Sequence, residues 1–365
     1  MTALTERLSL SLPVIQAPMA GVSTPELAAA VSESGALGSL GLGACNADDA
    51  RMMIARTRER TARPFGVNLF VHKTPQEDPA RETAWLRTLA PLFGQFNAQP
   101  PQTLRTIYRS LADDPDMIAM LIREKPAVIS FHFGLPPADV LTALRQTGAL
   151  LLASVTNPAE ARAAQAAGID MLIAQGIEAG GHRGIFNPEE PDDTLSTATL
   201  TRILTRQTSC PVIAAGGIMD GAGIAAALSL GAAGAQLGTA FLLCPESAAD
   251  AGYRKALTSP AAAHTRLTSA ISGRPARALS GPFTAMEPLP GTLPDYPRAY
   301  DAGKALNAAA KALGVAEFGA YWAGQGAPLI RAMPAAELIR TLDMELQQSL
   351  SASRAQTPDP EHRES

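Results

Sequence analysis

The chain alternates two kinds of segment. Short apolar runs occupy 13–19 (PVIQAPM), 36–41, 65–71, 127–134, 148–155, 170–176, 211–217 and 234–241. Between them lie alanine-rich stretches in which apolar residues recur every three or four positions, such as PADVLTALRQT, NPAEARAAQAAG, STATLTRILTRQT and DGAGIAAALSLG. A continuous apolar run of four to eight residues reads as a strand buried on both faces, and the longer periodicity reads as a helix that covers it. The boundaries carry their own chemistry. In STPELAAAVSESG, Ser23 or Thr24 caps a helix, Pro25 suits its first turn and Gly35 ends it. Eight such strands in about 250 residues predict an α/β protein, a (β/α)8 TIM barrel in preference to an open doubly wound sheet.

Two segments break the rhythm, so the barrel is expected from 1–71 and 127–250, with additions at 72–126 and 251–345. The additions hold Trp85, Phe93, Phe96, Tyr108, Tyr253, Tyr296, Tyr300, Tyr321 and Trp322, which include every tyrosine and tryptophan of the chain. These aromatics either glue the additions to the barrel or form a smaller domain that caps its catalytic face. The polar, proline-bearing stretch 346–365 reads as a disordered tail.

Composition narrows the class. With 365 residues, 46% hydrophobic and 18% charged, the chain fits a globular enzyme with a sizeable core. A formal charge of −4 gives no reason to expect nucleic acid or an anionic membrane as partner. The N-terminus places Glu6 beside Arg7 and lacks the apolar core of a signal peptide, and no apolar run is long enough to span a bilayer. Three widely spaced cysteines, Cys45, Cys210 and Cys244, point to a reducing compartment, hence the cytoplasm, and not to a disulfide framework or zinc site.

Barrel enzymes work at the C-terminal ends of their strands. There the sequence offers Ala17, Pro18 and Met19, then Asn68, His132, Gln175, Gly216, Gly217, Gln236, Leu237, Gly238 and Thr239. Glu178 is the one evident acid, expected to cap locally or pair with Arg183, so paired-carboxylate catalysis and hard-metal binding find little support. His72, His132 and His182 come from different units and do not suggest a metal site; His72, His264 and Cys45 receive no role. The glycine clusters AAGGIMDG and QLGTAFL, in consecutive units, instead offer backbone N–H groups to a phosphate. Neither is followed by the Gly-Lys-Ser/Thr of a P-loop, and a cofactor with a single phosphate fits better than a dinucleotide. The amides of Asn68, Gln175 and Gln236 can reach the edge of a flat heterocycle, which describes an FMN site. In AQGIEAGGHRG (174–184) the glycines let backbone pass close to the cofactor and present the His182 imidazole. By itself, His132 on its apolar strand also reads as a core histidine, Tyr108 as helix packing and Lys304 as a solvated helix face.

The stretches IQAPMAG, GVNLF, FHFG, AQGIEAGGHRG, VIAAGGIMDGAGIAAALSLGAAGAQLGTAF, SGRPARAL and AGQGAPLIR run in order from residue 14 to about 331. With them the chain resembles the class I nitronate monooxygenases, formerly called 2-nitropropane dioxygenases. The resemblance implies an FMN-dependent TIM barrel that denitrifies nitronates such as propionate 3-nitronate with O2, giving malonic semialdehyde and nitrite. It implies FMN contacts at Ala17, Pro18, Met19, Asn68, Gln175, Gly180, Gly217, Gln236, Leu237, Gly238 and Thr239. It further implies a substrate pocket of Tyr108, His132, His182, Tyr253, Tyr300 and Lys304, with Tyr296 a further candidate. His182 is expected to orient the anion, and to act as a base only toward a neutral nitroalkane. An NAD(P)H-dependent FMN reductase acting on quinones or enoyl thioesters, and a non-catalytic binder of a phosphate-bearing ligand, stand as alternatives.

Overall fold

The computed structural model describes residues 1–289 and 291–355. All eight expected strands form: β1 (Val14–Gln16), β2 (Gly38–Gly41), β3 (Phe65–Phe70), β4 (Val128–His132), β5 (Leu150–Val155), β6 (Met171–Gln175), β8 (Val212–Ala215) and β9 (Gly234–Leu237). They are parallel in the order β1-β9-β8-β6-β5-β4-β3-β2. A parallel bridge between Ile15 and Leu37 then joins the ends of the sheet into a barrel. Its lower interior is filled by Ile15, Leu37, Val128, Leu152, Met171, Ile173 and Ile213, so it is a packed core and not a pore.

The helices follow the sequence rules. After α1 (Ala3–Leu8), α2 (Pro25–Glu33) begins at Thr24, whose hydroxyl accepts from Leu27 N at 3.0 Å. The layer continues with α3 (Ala47–Arg58), α4 (Pro79–Gly94), α5 (Pro115–Glu124), α6 (Ala138–Gln146), α7 (Pro158–Ala166), α8 (Thr197–Gln207) and α9 (Gly221–Ser229). Beyond β9 come α10 (Ala251–Leu257), α11 (Arg298–Ala312) and α12 (Ala335–Ala355). None of the described helices is long and apolar enough to cross a membrane.

Two expectations need correction. The tail does not begin at 346: α12 continues to Ala355, and Leu346 is buried together with Leu338, Ile339 and Leu342. This helix packs between α9 and α2 and supplies the outer cover of the last barrel strand. The polar run Gln347–Ser349 hid the continuing apolar stripe; residues 356–365 lie outside the described residues. The second correction is a three-stranded antiparallel sheet that the apolar pattern did not show. It consists of β7 (Gly181–His182), β10 (Thr265–Thr268) and β11 (Ala276–Leu279), in the order β10-β11-β7.

The two additions share one core. Trp85, Leu89, Phe93 and Phe96 from the first pack with Ile271, Phe283, Leu306 and Phe318 from the second. A buried Arg298–Glu82 pair, Nε to Oε1 2.6 Å, ties α11 to α4. These aromatics are the glue, whereas Tyr108, Tyr253, Tyr296, Tyr300 and Trp322 line the cavity over the barrel mouth.

Candidate active site

That cavity encloses about 1330 Å³ of empty space, its mouth included, at the C-terminal ends of the barrel strands. One end is built from backbone. Gly216 and Gly217, just past β8, have φ of +129° and +70°, values that favour glycine. The AGQGAP stretch folds back over them. A Cβ at Gly326 would lie 2.6 Å from Gly217 O, and one at Gly180 would lie 2.5 Å from Gly324 N. Gly324 N donates to Thr239 Oγ1 at 3.0 Å, which locks this stretch to the 3-10 turn Thr239–Phe241. Ala17, Pro18, Met19 and Gly238 complete this end.

Three amides were expected to face a cofactor, and they divide. Gln236 lines the cavity with no partner for its side chain among the described residues. Asn68 donates through Nδ2 to Ser130 Oγ (2.8 Å) and Ser130 O (3.1 Å), so its Oδ1 remains available. Gln175 is committed to the chain: Nε2 donates to His182 O at 2.9 Å, and Oε1 accepts from Gly184 N at 2.7 Å. Leu237 does not line the cavity. Its side chain alternates to the outer face of β9 and packs with Leu27, Val31 and Ile224, because successive strand residues point to opposite sides.

The other end is built from side chains. His182 sits on β7, held in register opposite Ala276 of β11. Its carbonyl takes a second donor, His132 Nε2, at 3.1 Å. A carbonyl can only accept, so His132 carries its proton on Nε2 and supports His182. Ser272 Oγ lies 2.8 Å from His182 Nε2. Around the imidazole stand Trp322 (ring centroids 4.9 Å apart), Tyr296 (5.3 Å) and Tyr300 (6.0 Å). The Tyr253 hydroxyl also lines the cavity but donates to the Trp322 carbonyl. Tyr108 meets Tyr300 edge to face at 5.9 Å.

Among the described residues, no charged side chain lines the cavity. Lys304 is not part of the wall: its Nζ lies 5.0 and 5.4 Å from the ring centroids of Tyr108 and Tyr300, outside the pocket. Helix α11 points the lysine outward and the tyrosine inward. Glu178 does not pair with Arg183. It accepts from Thr197 N (2.9 Å) and Oγ1 (2.8 Å) at the start of α8, while Arg183 pairs with Asp192 at 2.8 Å. Burial, with His132, Arg274 and His72 nearby, lowers the His182 pKa to about 3. Burial lowers His132 to about 4 as well, and lifts Tyr108 and Tyr300 to about 12. The pocket therefore presents neutral imidazole and neutral phenol at ordinary pH. Cys45 lies beyond this wall, and burial raises its pKa, so its thiol stays protonated.

Sequence reasoning names Trp322 only among the aromatics of the additions and misses Ser272 and the closing glycines Gly324 and Gly326. All fall in additions whose contacts are far apart along the chain. The stretches SGRP and AGQGAP carried the only signal.

Neutral donors against a glycine cradle can bind and orient an anion, while the lining side chains have no redox chemistry of their own. A barrel with this mouth is built to hold a cofactor that brings the chemistry. The nitronate monooxygenase family model matches residues 1–345. The nitronate monooxygenase of Paraburkholderia phytofirmans is 57% identical, covering 96% of this chain and 97% of its own length. That of Pseudomonas aeruginosa is 54% identical, covering 94% and 98%. Among solved structures, nitroalkane oxidase from Streptomyces ansochromogenes superposes with a TM-score of 0.88 at 40% identity, covering 96% of this chain and all of that one. FabK from Thermotoga maritima gives 0.75 at 30%, covering 97% and 99%. The chain belongs to the nitronate monooxygenase family, a family of flavin-dependent oxidoreductases.

Proposed function

We propose that the protein is an FMN-dependent nitronate monooxygenase that converts nitronates such as propionate 3-nitronate, with O2, into the carbonyl product and nitrite. The observation that carries this reading is the join between the glycine cradle and an uncharged pocket with a neutral histidine in its wall. The residues fit FMN: Gly180, Gly324 and Gly326 leave no room for a Cβ against neighbouring backbone, the Gln236 amide is unclaimed and Asn68 keeps an acceptor. Gly217, Gly238 and Thr239 would hold the phosphate, with Gly180, Gly324 and Gly326 closing over it. Asn68 and Gln236 would meet the heterocycle, and Ala17, Pro18 and Met19 would lie against it. When bound, FMN supplies the redox chemistry.

The chain's own residues do the rest. His182 donates to the nitro group and fixes its orientation, and Tyr108 and Tyr300 wall the substrate with neutral hydroxyls. A nitronate is already deprotonated, so no base is required of the protein. His132 and Gln175 serve the His182 backbone, and Lys304 acts through the tyrosine faces as a cation outside the wall. The additions form the cap that shields this space from water, and three free cysteines suit a cytoplasmic enzyme.

Purified protein is expected to be yellow and to release FMN on denaturation. Aerobic propionate 3-nitronate should yield nitrite, and anaerobic NADH should leave the flavin oxidised. Released FAD would overturn the cofactor assignment. Rapid bleaching by NADH without nitrite formation from nitronate would establish the FMN reductase instead.

A further inference from the structure

With no charged side chain in the cavity wall among the described residues, attraction for an anion has to come from charge set behind that wall. On the aromatic side, Arg274 stands there. It lies between β10 and β11 and is only 3% exposed. Its Cζ sits 4.3 Å from the centroid of the Phe133 ring. The same ring has His132 at 4.5 Å, Tyr296 at 5.3 Å and His182 at 5.6 Å, all three of them residues of the cavity wall. One phenyl ring therefore separates the guanidinium from the wall. Phe133 has φ of +76°, rare for a non-glycine residue and kept only where the surroundings hold it. Arg274 N donates to Ser272 Oγ at 3.4 Å, and the next carbonyl, Pro275 O, accepts from Arg183 N at 2.8 Å.

The surroundings do not use this charge up. Arg183 pairs with Asp192 at 2.8 Å and Arg298 with Glu82 at 2.6 Å, but Arg274 has no carboxylate within ion-pair distance among the described residues. Glu160 is near enough to favour its protonation, yet both Glu160 oxygens are taken, by Thr156 N, Thr156 Oγ1 and Phe186 N. The guanidinium donates to the Ile185 carbonyl alone, and its Nε has no partner. A carbonyl needs a donor and not a full charge. Burial lowers the Arg274 pKa to about 10, so the cation persists at neutral pH. A buried cation without a partner is costly, which makes a compensating anion nearby favourable.

The charge is felt at the wall. Arg274 is among the charges that lower the pKa values of His72, His132 and His182, and it opposes the rise that burial imposes on Tyr296. A positive potential that disfavours a proton on these rings favours an anion beside them, and in a buried site salt screens it little. Lys304, on the exposed face of α11, is open to that screening.

We propose that Arg274 is a specificity-determining residue, the buried counter-charge one ring behind the wall that makes the cavity prefer an anion to a neutral ligand. That the anion is a nitronate rests on the function proposed above; the preference itself does not. The test titrates flavin-bound protein at neutral pH and constant ionic strength, following the flavin absorbance. The probes are nitrate, a planar anion, and 2-methyl-2-nitropropane, a neutral nitro compound without an α-proton. Arg274→Gln should weaken nitrate at least about tenfold and the neutral probe less than about twofold, and should raise KM for nitronate more than it lowers kcat. Arg274→Lys should keep nitrate within about threefold of wild type. Unchanged nitrate binding in Arg274→Gln, equal losses for both probes, or a lysine variant as weak as the glutamine variant would overturn the proposal. Should Arg274→Gln fail to fold, Lys304→Met decides. Nitrate binding within about threefold of wild type is expected there, whereas a loss above about tenfold would transfer the counter-charge to Lys304 and overturn the proposal. Because nitrate binding needs no turnover, protein that selects nitrate through Arg274 yet forms no nitrite from nitronate would discard the proposed function and leave the arginine's role standing.

Discussion

At one end of the cavity Gly180, Gly217, Gly324 and Gly326 bring bare backbone together. At the other, His182, Tyr296, Tyr300 and Trp322 crowd their rings around a common space. The glycine end depends on the absence of atoms and contains nothing that titrates. The aromatic end depends on bulky groups donated by distant segments, and burial shifts its ionisable groups. Changes at the first should therefore cost cofactor, and changes at the second should cost turnover or pH tolerance while cofactor stays bound.

The strongest expected effect is at the glycine end. Gly180→Ala places a methyl 2.5 Å from Gly324 N and 2.6 Å from Ala323 C, so backbone must move. Flavin binding should weaken about 100-fold, about 2.7 kcal/mol, measurable by fluorescence titration of the apoprotein. A variant that binds flavin normally would show that the close approach is not needed.

The pH response comes next. His72 is buried beside Tyr296, with ring centroids 5.0 Å apart, and burial lowers its pKa to about 4. Its folded pKa lies below its unfolded value, so its stabilising contribution is present above about pH 6.5 and is lost as pH falls toward 4. Between pH 7 and pH 5 this amounts to about 2 kcal/mol. Denaturant titrations at the two pH values check it, and His72→Gln should shrink the difference by about that amount, with the buried His132 and His182 supplying the rest. An equally steep pH dependence in that variant would assign the effect elsewhere.

His182→Asn should keep its flavin and lose at least about tenfold in kcat/KM for nitronates, about 1.4 kcal/mol of transition-state stabilisation. An additional loss confined to a neutral nitroalkane would mark the histidine as a base for that substrate. Full activity would reduce the AQGIEAGGHRG stretch to cofactor architecture.

The smallest effect belongs to Lys304, which stands behind the tyrosines at 5.0 and 5.4 Å. Lys304→Met should raise KM about threefold, more for a nitronate that also carries a carboxylate, and this should fade with added salt. A tenfold or greater fall in kcat would place the lysine inside the reacting pocket.

The eight strands, their helices and the glycine end were legible because each rests on local rules. Apolar runs bury on both faces, Thr24 and Pro25 start a helix, and positive φ at Gly216 and Gly217 needs glycine. Their spacing along the chain is their spacing in the barrel. The amides were half legible: Asn68 and Gln236 face the cavity as read, but the partner of Gln175 lies across a turn that its own run does not reveal.

The sequence by itself determined the barrel, the place of its mouth and the glycines past β8 that open its backbone-built end, since these follow from periodicity and short-range conformation. Tertiary structure decided which side chains surround His182. Ser272, Tyr296, Tyr300 and Trp322 lie 90 or more residues from it, and only the pairing of β7 with β11 carries the histidine to them. The same distance concealed that α12, about a hundred residues after β9, is the helix that finishes the barrel. Contacts of that range are set by how surfaces bury against one another, and no local pattern encodes them.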